Sequence, residues 1–205
     1  MILLVRHAPT GLTGSRFCGT TDPPLDVTGI ASAERLAAEL GRVVRPLGDH
    51  GPTSPRVRVV TSPLRRAHAT AWTIAQALRP LAEVEGPVVD ARLRETDFGV
   101  AEGRTWDELQ GLDRDLAGRL LAGEHAIDWP GGEPHGDLVA RTLAAWADLA
   151  AVQAANQGLH LVAVTHGGPL RILLAHLRSE PLGTVPSPAP ASWVDATLLA
   201  GAGSA

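Results

Sequence analysis

The stretch LLVRHAPT, residues 3–10, marks an abrupt change from apolar to polar chemistry. The apolar run Ile2–Val5 is typical of a short buried strand. Arg6 and His7 follow it directly, and residues 6–25 are rich in Gly, Pro and Thr, which predicts a loop. In open α/β sheets, functional groups gather at the carboxyl ends of strands. Arg6 and His7 are therefore candidates for a functional site, although an Arg-His pair after one strand is by itself more often part of an ordinary loop.

Two further predicted strands end in the same kind of side chain. Residues Val57–Thr61 are followed by Arg65 and Arg66, and Leu161–Thr165 is followed by His166. If the three strands are parallel neighbours, their ends form one cationic pocket lined by nitrogen donors. Such a pocket suits phosphate, because the guanidinium fork matches two phosphate oxygens at once.

Strands alternate with helical periodicity along most of the chain. The pattern predicts helices over 28–44 and 137–156, and a further helix that follows Gly168 and ends at about 177. Two more helices are predicted to begin at Ser62 (N-cap) with Pro63 and at Thr105. Strands are predicted over 84–89 and 193–199, and loops over 45–55 and 179–190. This alternation favours an α/β fold with a mostly parallel central sheet in a three-layer α/β/α arrangement. We expect a single domain over residues 1–205, with a helical, lid-like insertion at roughly 101–135.

Composition excludes several classes of chemistry. The 205 residues (21.4 kDa) include 18 arginines but no lysine or tyrosine, and a single cysteine. This rules out Schiff-base lysines, P-loop lysines, tyrosyl nucleophiles, intrachain disulfides and cysteine-rich zinc sites. A net charge of −4 gives no support for nucleic-acid binding. No run approaches the roughly 20 apolar residues of a membrane span, and Met1–Val5 is too short for a signal peptide, so we expect a cytoplasmic protein.

Six segments, taken together and in order, resemble the histidine phosphatase superfamily in its phosphoglycerate-mutase-like branch. They are LLVRHAPT (3–10), CGTTDPPLDVTG (18–29), TSPLRRAHATA (61–71), LRETDFGVAEG (93–103), WPGGE (129–133) and VTHGGPLR (164–171). The resemblance covers residues 2 to about 178. It implies the three-layer phosphoglycerate-mutase-like fold.

The resemblance also implies roles for individual residues. His7 matches the nucleophile that becomes phosphohistidine, and His166 matches the second pocket histidine. Arg6 and Arg66 match the phosphate-binding arginines, with Arg66 rather than Arg65 at the family position.

The proton donor is matched by Glu95, with Glu102 and Asp97 as rival acids. Gly167 is expected to offer its backbone N–H to phosphate. Many family members carry Asn where this chain has Thr13, whose hydroxyl could still donate to phosphate.

Other departures surround the phosphate-facing loop. Ala8 replaces the usual glycine, which requires that residue 8 avoid positive φ, and Pro9 stands where many members have Glu. Arg16, Arg104 and His125 are candidate residues of the substrate rim. These differences bear on which substrate is bound.

The sequence therefore predicts a phosphomonoester hydrolase that acts through a phosphohistidine on a small phosphorylated metabolite, without metal or cofactor. One alternative is a phosphoglycerate mutase, although the chain is shorter than cofactor-dependent mutases and lacks features of their first motif. A second alternative is a non-catalytic member that binds phosphorylated ligands. The sequence fixes no oligomeric state.

Overall fold

The computed structural model describes residues 1–44 and 54–200, and within these ranges five strands form one sheet. The strands are β1 (Ile2–Arg6), β2 (Arg56–Thr61), β3 (Glu83–Val89), β4 (Leu159–Thr165) and β5 (Trp193–Asp195), in the spatial order β3-β2-β4-β1-β5. The first four are parallel, and only β5 runs antiparallel to its neighbour β1. The predicted α/β fold with a mostly parallel sheet is confirmed.

Helices cover both faces of the sheet. They are α1 (Val27–Val43), α2 (Arg65–Leu78), α3 (Trp106–Leu112), α4 (Arg114–Leu121), α5 (His135–Ala155), α6 (Gly167–Arg178) and α7 (Ala196–Ala200). Successive strand residues point to opposite faces. Leu3 and Val5 accordingly pack with α1 and α2, while Ile2 and Leu4 pack with α5 and α6. Burial on both faces explains why β1 reads as an unbroken apolar run.

The start of α2 differs from the prediction. Ser62 was expected to cap this helix with Pro63 in its first turn, but the helix begins at Arg65 after Leu64, which makes no side-chain cap. The Ser62 hydroxyl lies 2.7 Å from Nε2 of His166 instead. The hydroxyl also accepts a hydrogen bond from the N–H of Leu64, so Ser62 combines a local turn with a long-range contact and does not cap the helix.

The helix predicted from Thr105 onward begins as expected. Thr105 and Glu108 form the predicted capping box at the start of α3. Asp113 then ends α3 and caps α4, because its carboxylate accepts a hydrogen bond from the N–H of Leu116. The two short helices enclose a small apolar cluster built around Leu109 and Leu116.

The last predicted strand is shorter than expected. Strand β5 ends at Asp195, and α7 follows at once, whereas the sequence pattern suggested extended chain over 193–199. The Asp195 carboxylate accepts hydrogen bonds from the N–H and hydroxyl of Thr197, which turns the chain into a helix. Most of the predicted loop 45–55 and the tail after Gly201 lie outside the described residues.

In the ranges that the structure describes, no helix combines the length and apolar character needed to cross a bilayer.

Candidate active site

The register of the sheet brings three strand ends together. Arg6 of β1 pairs with Thr165 of β4, and Thr61 of β2 pairs with Val164 of the same strand. The residues that follow these strands therefore leave one edge of the sheet side by side. His7 and His166 meet there, with their ring centroids 4.8 Å apart.

His7 is held as a neutral imidazole with one defined tautomer. Its side chain is buried, and Nδ1 lies 2.7 Å from the carbonyl oxygen of Ala8. Because a carbonyl only accepts, Nδ1 must carry the proton, which leaves the lone pair on Nε2. Burial lowers the pKa of His7 to about 3, and the cations of Arg66 and Arg6 contribute to this. The lone pair on Nε2 is therefore unprotonated at neutral pH, which is the state that nucleophilic attack requires.

His166 is fully buried directly before α6. Its Nε2 lies 2.7 Å from the Ser62 hydroxyl, which also accepts a hydrogen bond from the N–H of Leu64. Nδ1 has no partner among the described residues. Burial lowers the pKa of His166 well below its usual value, and the neighbouring His7 adds to this effect. One ring nitrogen is thus fixed by Ser62, and the other is buried with its hydrogen-bonding capacity unused in the described chain.

Arg66 is 2 % exposed and fixed by the loop after residue 17. One terminal nitrogen donates to the carbonyl oxygens of Cys18 and Gly19, both at 3.0 Å, and the other donates to that of Thr21, also at 3.0 Å. The Asp22 carboxylate lies 3.4 Å away. Burial lowers the pKa of Arg66, but from so high a value that it remains a cation.

Arg6 approaches the start of α6. Its Nη1 donates to the Ser187 hydroxyl at 3.2 Å and to the Pro188 carbonyl, while Nε is buried without a partner in the described chain. A Cβ atom on Gly167 would lie 3.3 Å from the guanidinium carbon of Arg6. Glycine therefore allows the cation and the backbone N–H of Gly167 to lie close together.

Glu95 brings a carboxyl group to the same place. It is 8 % exposed, and Oε1 accepts hydrogen bonds from the N–H groups of Thr96 at 3.0 Å and Gly168 at 3.2 Å. Burial raises the pKa of Glu95, outweighing these hydrogen bonds and the cations of Arg66 and Arg6. A Cβ atom on residue 168 would come within 2.5 Å of Oε1, so the approach requires glycine.

The two rival acids make different contacts. The Glu102 carboxylate accepts hydrogen bonds from the N–H groups of residues 19, 20, 21 and 98, and these outweigh burial and lower its pKa. It therefore anchors the loop whose carbonyls hold Arg66. The Asp97 carboxylate accepts from the N–H of Gly99. These contacts favour Glu95 as the proton donor.

Thr13 is occupied within its own turn. Its hydroxyl accepts a hydrogen bond from the N–H of Thr10 at 2.8 Å and lies 3.2 Å from the Thr10 hydroxyl. A contact between Thr13 and phosphate stays a prediction. Ala8 meets its backbone requirement, because it is not among the described residues with positive φ.

A cavity of about 280 Å³ adjoins Arg6, Glu95 and Gly167. Its apolar walls are formed by Phe98, Leu120, Ile127, Trp129, Leu138, Ile172 and Leu182. Several of these residues belong to the insertion at 101–135, which therefore forms one side of the cavity. His125 lines the cavity, whereas Arg16 binds Glu108 and Arg104 binds the Val100 carbonyl. Of the three candidate rim residues, the structure places only His125 at the cavity.

The sequence reasoning missed several supporting residues. Arg141 of α5 donates to the backbone carbonyl of Glu95, and Ser62 contacts His166. Neither contact has a local sequence signal, since each joins residues far apart in the chain. In the described ranges, no cluster of three or more His, Cys, Asp or Glu side chains could hold a metal ion.

The chain matches known proteins over nearly its whole length. Residues 2–194 match the family model of the histidine phosphatase superfamily, branch 1. It is 32 % identical over 88 % of its length to the probable phosphoglycerate mutase GpmB of Salmonella paratyphi C, covering 75 % of that protein. It is 29 % identical over 84 % of its length to a metal-independent phosphoserine phosphatase of Arabidopsis thaliana, covering 66 % of that protein.

Other relatives are longer. The chain spans 43 % of the length of a bifunctional protein of Mycobacterium tuberculosis, to which it is 35 % identical over 84 % of its own length. Among solved structures, a mycobacterial glucosyl-3-phosphoglycerate phosphatase complexed with VO3 is 30 % identical with a TM-score of 0.74, over 94 % of this chain and 88 % of that one. With a family model matched over residues 2–194, the chain belongs to branch 1 of the histidine phosphatase superfamily.

Proposed function

We propose that the protein hydrolyses phosphomonoesters of small metabolites, without a metal ion, through a phosphohistidine at His7. The observation that carries this proposal is the neutral His7 ring, with Nε2 free, beside His166 and the cations of Arg6 and Arg66. The buried Glu95, with its raised pKa, supplies a proton donor at the same edge of the sheet.

In the first step, Nε2 of His7 attacks phosphorus and the ester P–O bond breaks. The electron pair of that bond goes to the leaving oxygen, which takes the proton of Glu95 and departs as an alcohol. Arg6 and Arg66 offset the negative charge that keeps nucleophiles away from a phosphomonoester. The N–H of Gly167 and Nδ1 of His166, which has no partner in the described chain, are proposed to bind the remaining oxygens.

In the second step, water attacks the phosphohistidine. The Glu95 carboxylate accepts a proton from this water as the new P–O bond forms. The P–N bond breaks, its electron pair returns to Nε2, and inorganic phosphate leaves. Both Glu95 and His7 are then in their starting states, so the sum is one ester and one water giving one alcohol and one phosphate.

The substrate is proposed to be a small phosphorylated metabolite whose leaving group occupies the 280 Å³ cavity. The insertion at 101–135 would act as a lid-like selector, because it forms one wall of this cavity. The net charge of −4 favours neither nucleic acid nor an anionic membrane as a partner. The single cysteine favours a cytoplasmic location.

Phosphoglycerate mutase activity is the second candidate, since one relative is named a probable phosphoglycerate mutase. A mutase returns the phosphoryl group from histidine to a second position of the ligand before water reaches it. Transfer between positions of phosphoglycerate, primed by a bisphosphoglycerate, would then outpace phosphate release. We expect the reverse.

The test is phosphate release from an aryl phosphate in the presence of a chelator. The wild type should remain active, and His7→Ala should lose at least about a thousandfold in kcat/KM because the nucleophile is gone. His176→Ala is the matched control, because His176 is an exposed histidine on α6.

Phosphate bound covalently at His7 in quenched reactions would exclude a purely ligand-binding protein. Full activity in the His7→Ala variant would overturn the proposal, as would loss of wild-type activity on chelation.

A further inference from the structure

We infer that Arg141, together with its ion-pair partner Glu133, is the positioning residue for the proton donor Glu95. This inference rests on the proposed function. The observation behind it is that one buried side chain of α5 binds the backbone on which Glu95 is carried. The WPGGE segment, which ends at Glu133, acquires a role through it.

Arg141 binds three of the four backbone carbonyl groups of residues 92–95. Nη1 donates to the carbonyl oxygens of Arg92 and Arg94, both at 2.7 Å, and Nη2 donates to that of Glu95 at 3.1 Å. The Arg141 side chain is only 10 % exposed. A planar guanidinium can make such divergent bonds at once, whereas a lysine ammonium has a different geometry.

The remaining carbonyl of this stretch is also bound. The Thr165 hydroxyl donates to the carbonyl oxygen of Leu93 at 2.7 Å, and Thr165 directly precedes His166. All four carbonyls of residues 92–95 are thus held by side chains. The backbone of Glu95 is therefore fixed to the same strand end that carries His166.

Glu133 completes the arrangement. Its carboxylate binds Arg141 through two hydrogen bonds, at 2.6 and 2.7 Å, and accepts a third from Arg94 at 2.9 Å. Its own N–H donates to the carbonyl of Asp97 at 3.0 Å. The pair therefore holds the chain on both sides of Glu95.

Charge balance lets this cation lie near the acid. Burial would raise the pKa of Glu133, but its contacts with Arg141, Arg94 and Asp97 together outweigh burial, so the pKa is lowered and Glu133 stays a carboxylate. The negative charge offsets Arg141. Removing either partner leaves a buried charge unpaired, which is more costly than losing both.

Displacement of Glu95 has a specific chemical signature. An alkoxide leaving group needs the proton of Glu95, while a nitrophenolate leaves readily without it. A misplacement of about 1 Å can cost about a hundredfold in rate. Loss of the Arg141 contacts should therefore harm alkyl phosphates far more than nitrophenyl phosphate.

The experiment compares kcat/KM over a series of alkyl and aryl phosphates of increasing leaving-group pKa. We expect Arg141→Met to lose about a hundredfold on alkyl phosphates and less than about tenfold on nitrophenyl phosphate. Glu95→Gln should show the same dependence on the leaving group. Arg58→Met is the matched control, because it removes only a surface pair with Glu85 and should change neither class.

A second variant guards against misfolding of the first. Glu133→Gln keeps the shape of the side chain and an oxygen that can accept from Arg141, so it should show the same dependence in weaker form. Circular dichroism and melting temperature establish that each variant is folded.

Two outcomes decide between the inference and the function it rests on. Equal losses on all leaving groups, in folded variants, would overturn the positioning role while leaving the hydrolase intact. If the His7→Ala variant hydrolyses these phosphates at the wild-type rate, the proposed function is wrong, and the role of Arg141 falls with it.

Discussion

The strand ends and the segment 101–135 are held together by different kinds of contact. At the strand ends, Arg66 and His166 are buried, and backbone carbonyls or N–H groups hold most of the charged side chains. The segment 101–135 lines the cavity mainly with apolar side chains, such as Trp129, whose ring packs against that of Phe98 with centroids 4.8 Å apart. Its ion pair Arg119–Glu124 is partly exposed to solvent, and Glu124 also lines the cavity.

This difference suggests that the strand ends carry out the reaction while the segment 101–135 selects the substrate. Groups fixed by backbone hydrogen bonds cannot be exchanged without moving the chain, because each bond has a required direction. A wall of apolar side chains tolerates replacement as long as its volume is kept. We expect mutations at the strand ends to change rate and mutations in the insertion to change substrate preference.

The largest effect should come from Arg66→Met, which removes a cation from the phosphate-facing edge. Without its donors, charge in the transition state loses stabilisation, and kcat/KM should fall about a hundredfold to a thousandfold on every phosphomonoester. Steady-state kinetics on one small and one bulky substrate measure this. A loss confined to the bulky substrate would contradict the separation of the two regions.

Dependence on pH should be the next largest effect. Glu95 must be protonated to act as an acid, so kcat/KM should fall by about tenfold per pH unit above its raised pKa. The pKa of His7 is lowered to about 3, so the ring stays neutral at pH values near 6.5, where a histidine ordinarily titrates. The profile of kcat/KM against pH should therefore show no loss of activity near pH 6.5 from protonation of His7.

The control for this profile is Glu95→Gln measured on the same substrate, which cancels the titration of the substrate itself. The variant should lack the basic limb. An unchanged limb in Glu95→Gln would assign the titration to another group.

A smaller and more selective effect is expected for Trp129→Ala. The change opens the apolar wall, so KM for a bulky phosphomonoester should rise by about tenfold or less, while kcat for a small alkyl phosphate changes little. Leu121→Ala is a suitable control, because Leu121 lies in the same insertion but is 69 % exposed and does not line the cavity. Equal losses in kcat for both substrates would count against a selecting role.

The smallest effect should follow Arg16→Gln. Arg16 pairs with Glu108 at the surface of the insertion, and such pairs contribute at most about 1 kcal/mol. Activity should stay within about twofold, and the melting temperature should barely move. A large loss of activity would instead support the sequence-based candidate role of Arg16 in the substrate rim.

The sequence was most informative where one strand or one helix decided the outcome. The apolar run before Arg6 and the capping box at Thr105 depend on neighbours in the chain, so their structures could be predicted. The convergence of His7 and His166 required only that their strands be parallel and adjacent. The register of β1 and β4 meets this condition.

Predictions from local sequence were wrong or incomplete where a side chain contacts residues far away in the chain. Ser62 has the spacing of a helix cap, yet its hydroxyl contacts a histidine 104 positions away. Glu95 was placed ahead of Glu102 only by the family resemblance, since the physical difference between them is which N–H groups surround each carboxylate. The Arg141 contacts likewise depend on how α5 packs against residues 92–95.

The pairing of β1 with β4 also has a consequence for folding. Parallel pairing of strands so distant in sequence forms late, because the entropy of closing a long loop comes before any contact gain. Helical signal can recover while His7 and His166 are still apart. During refolding, catalytic activity should therefore return after the helical signal, because activity requires the final register of the sheet.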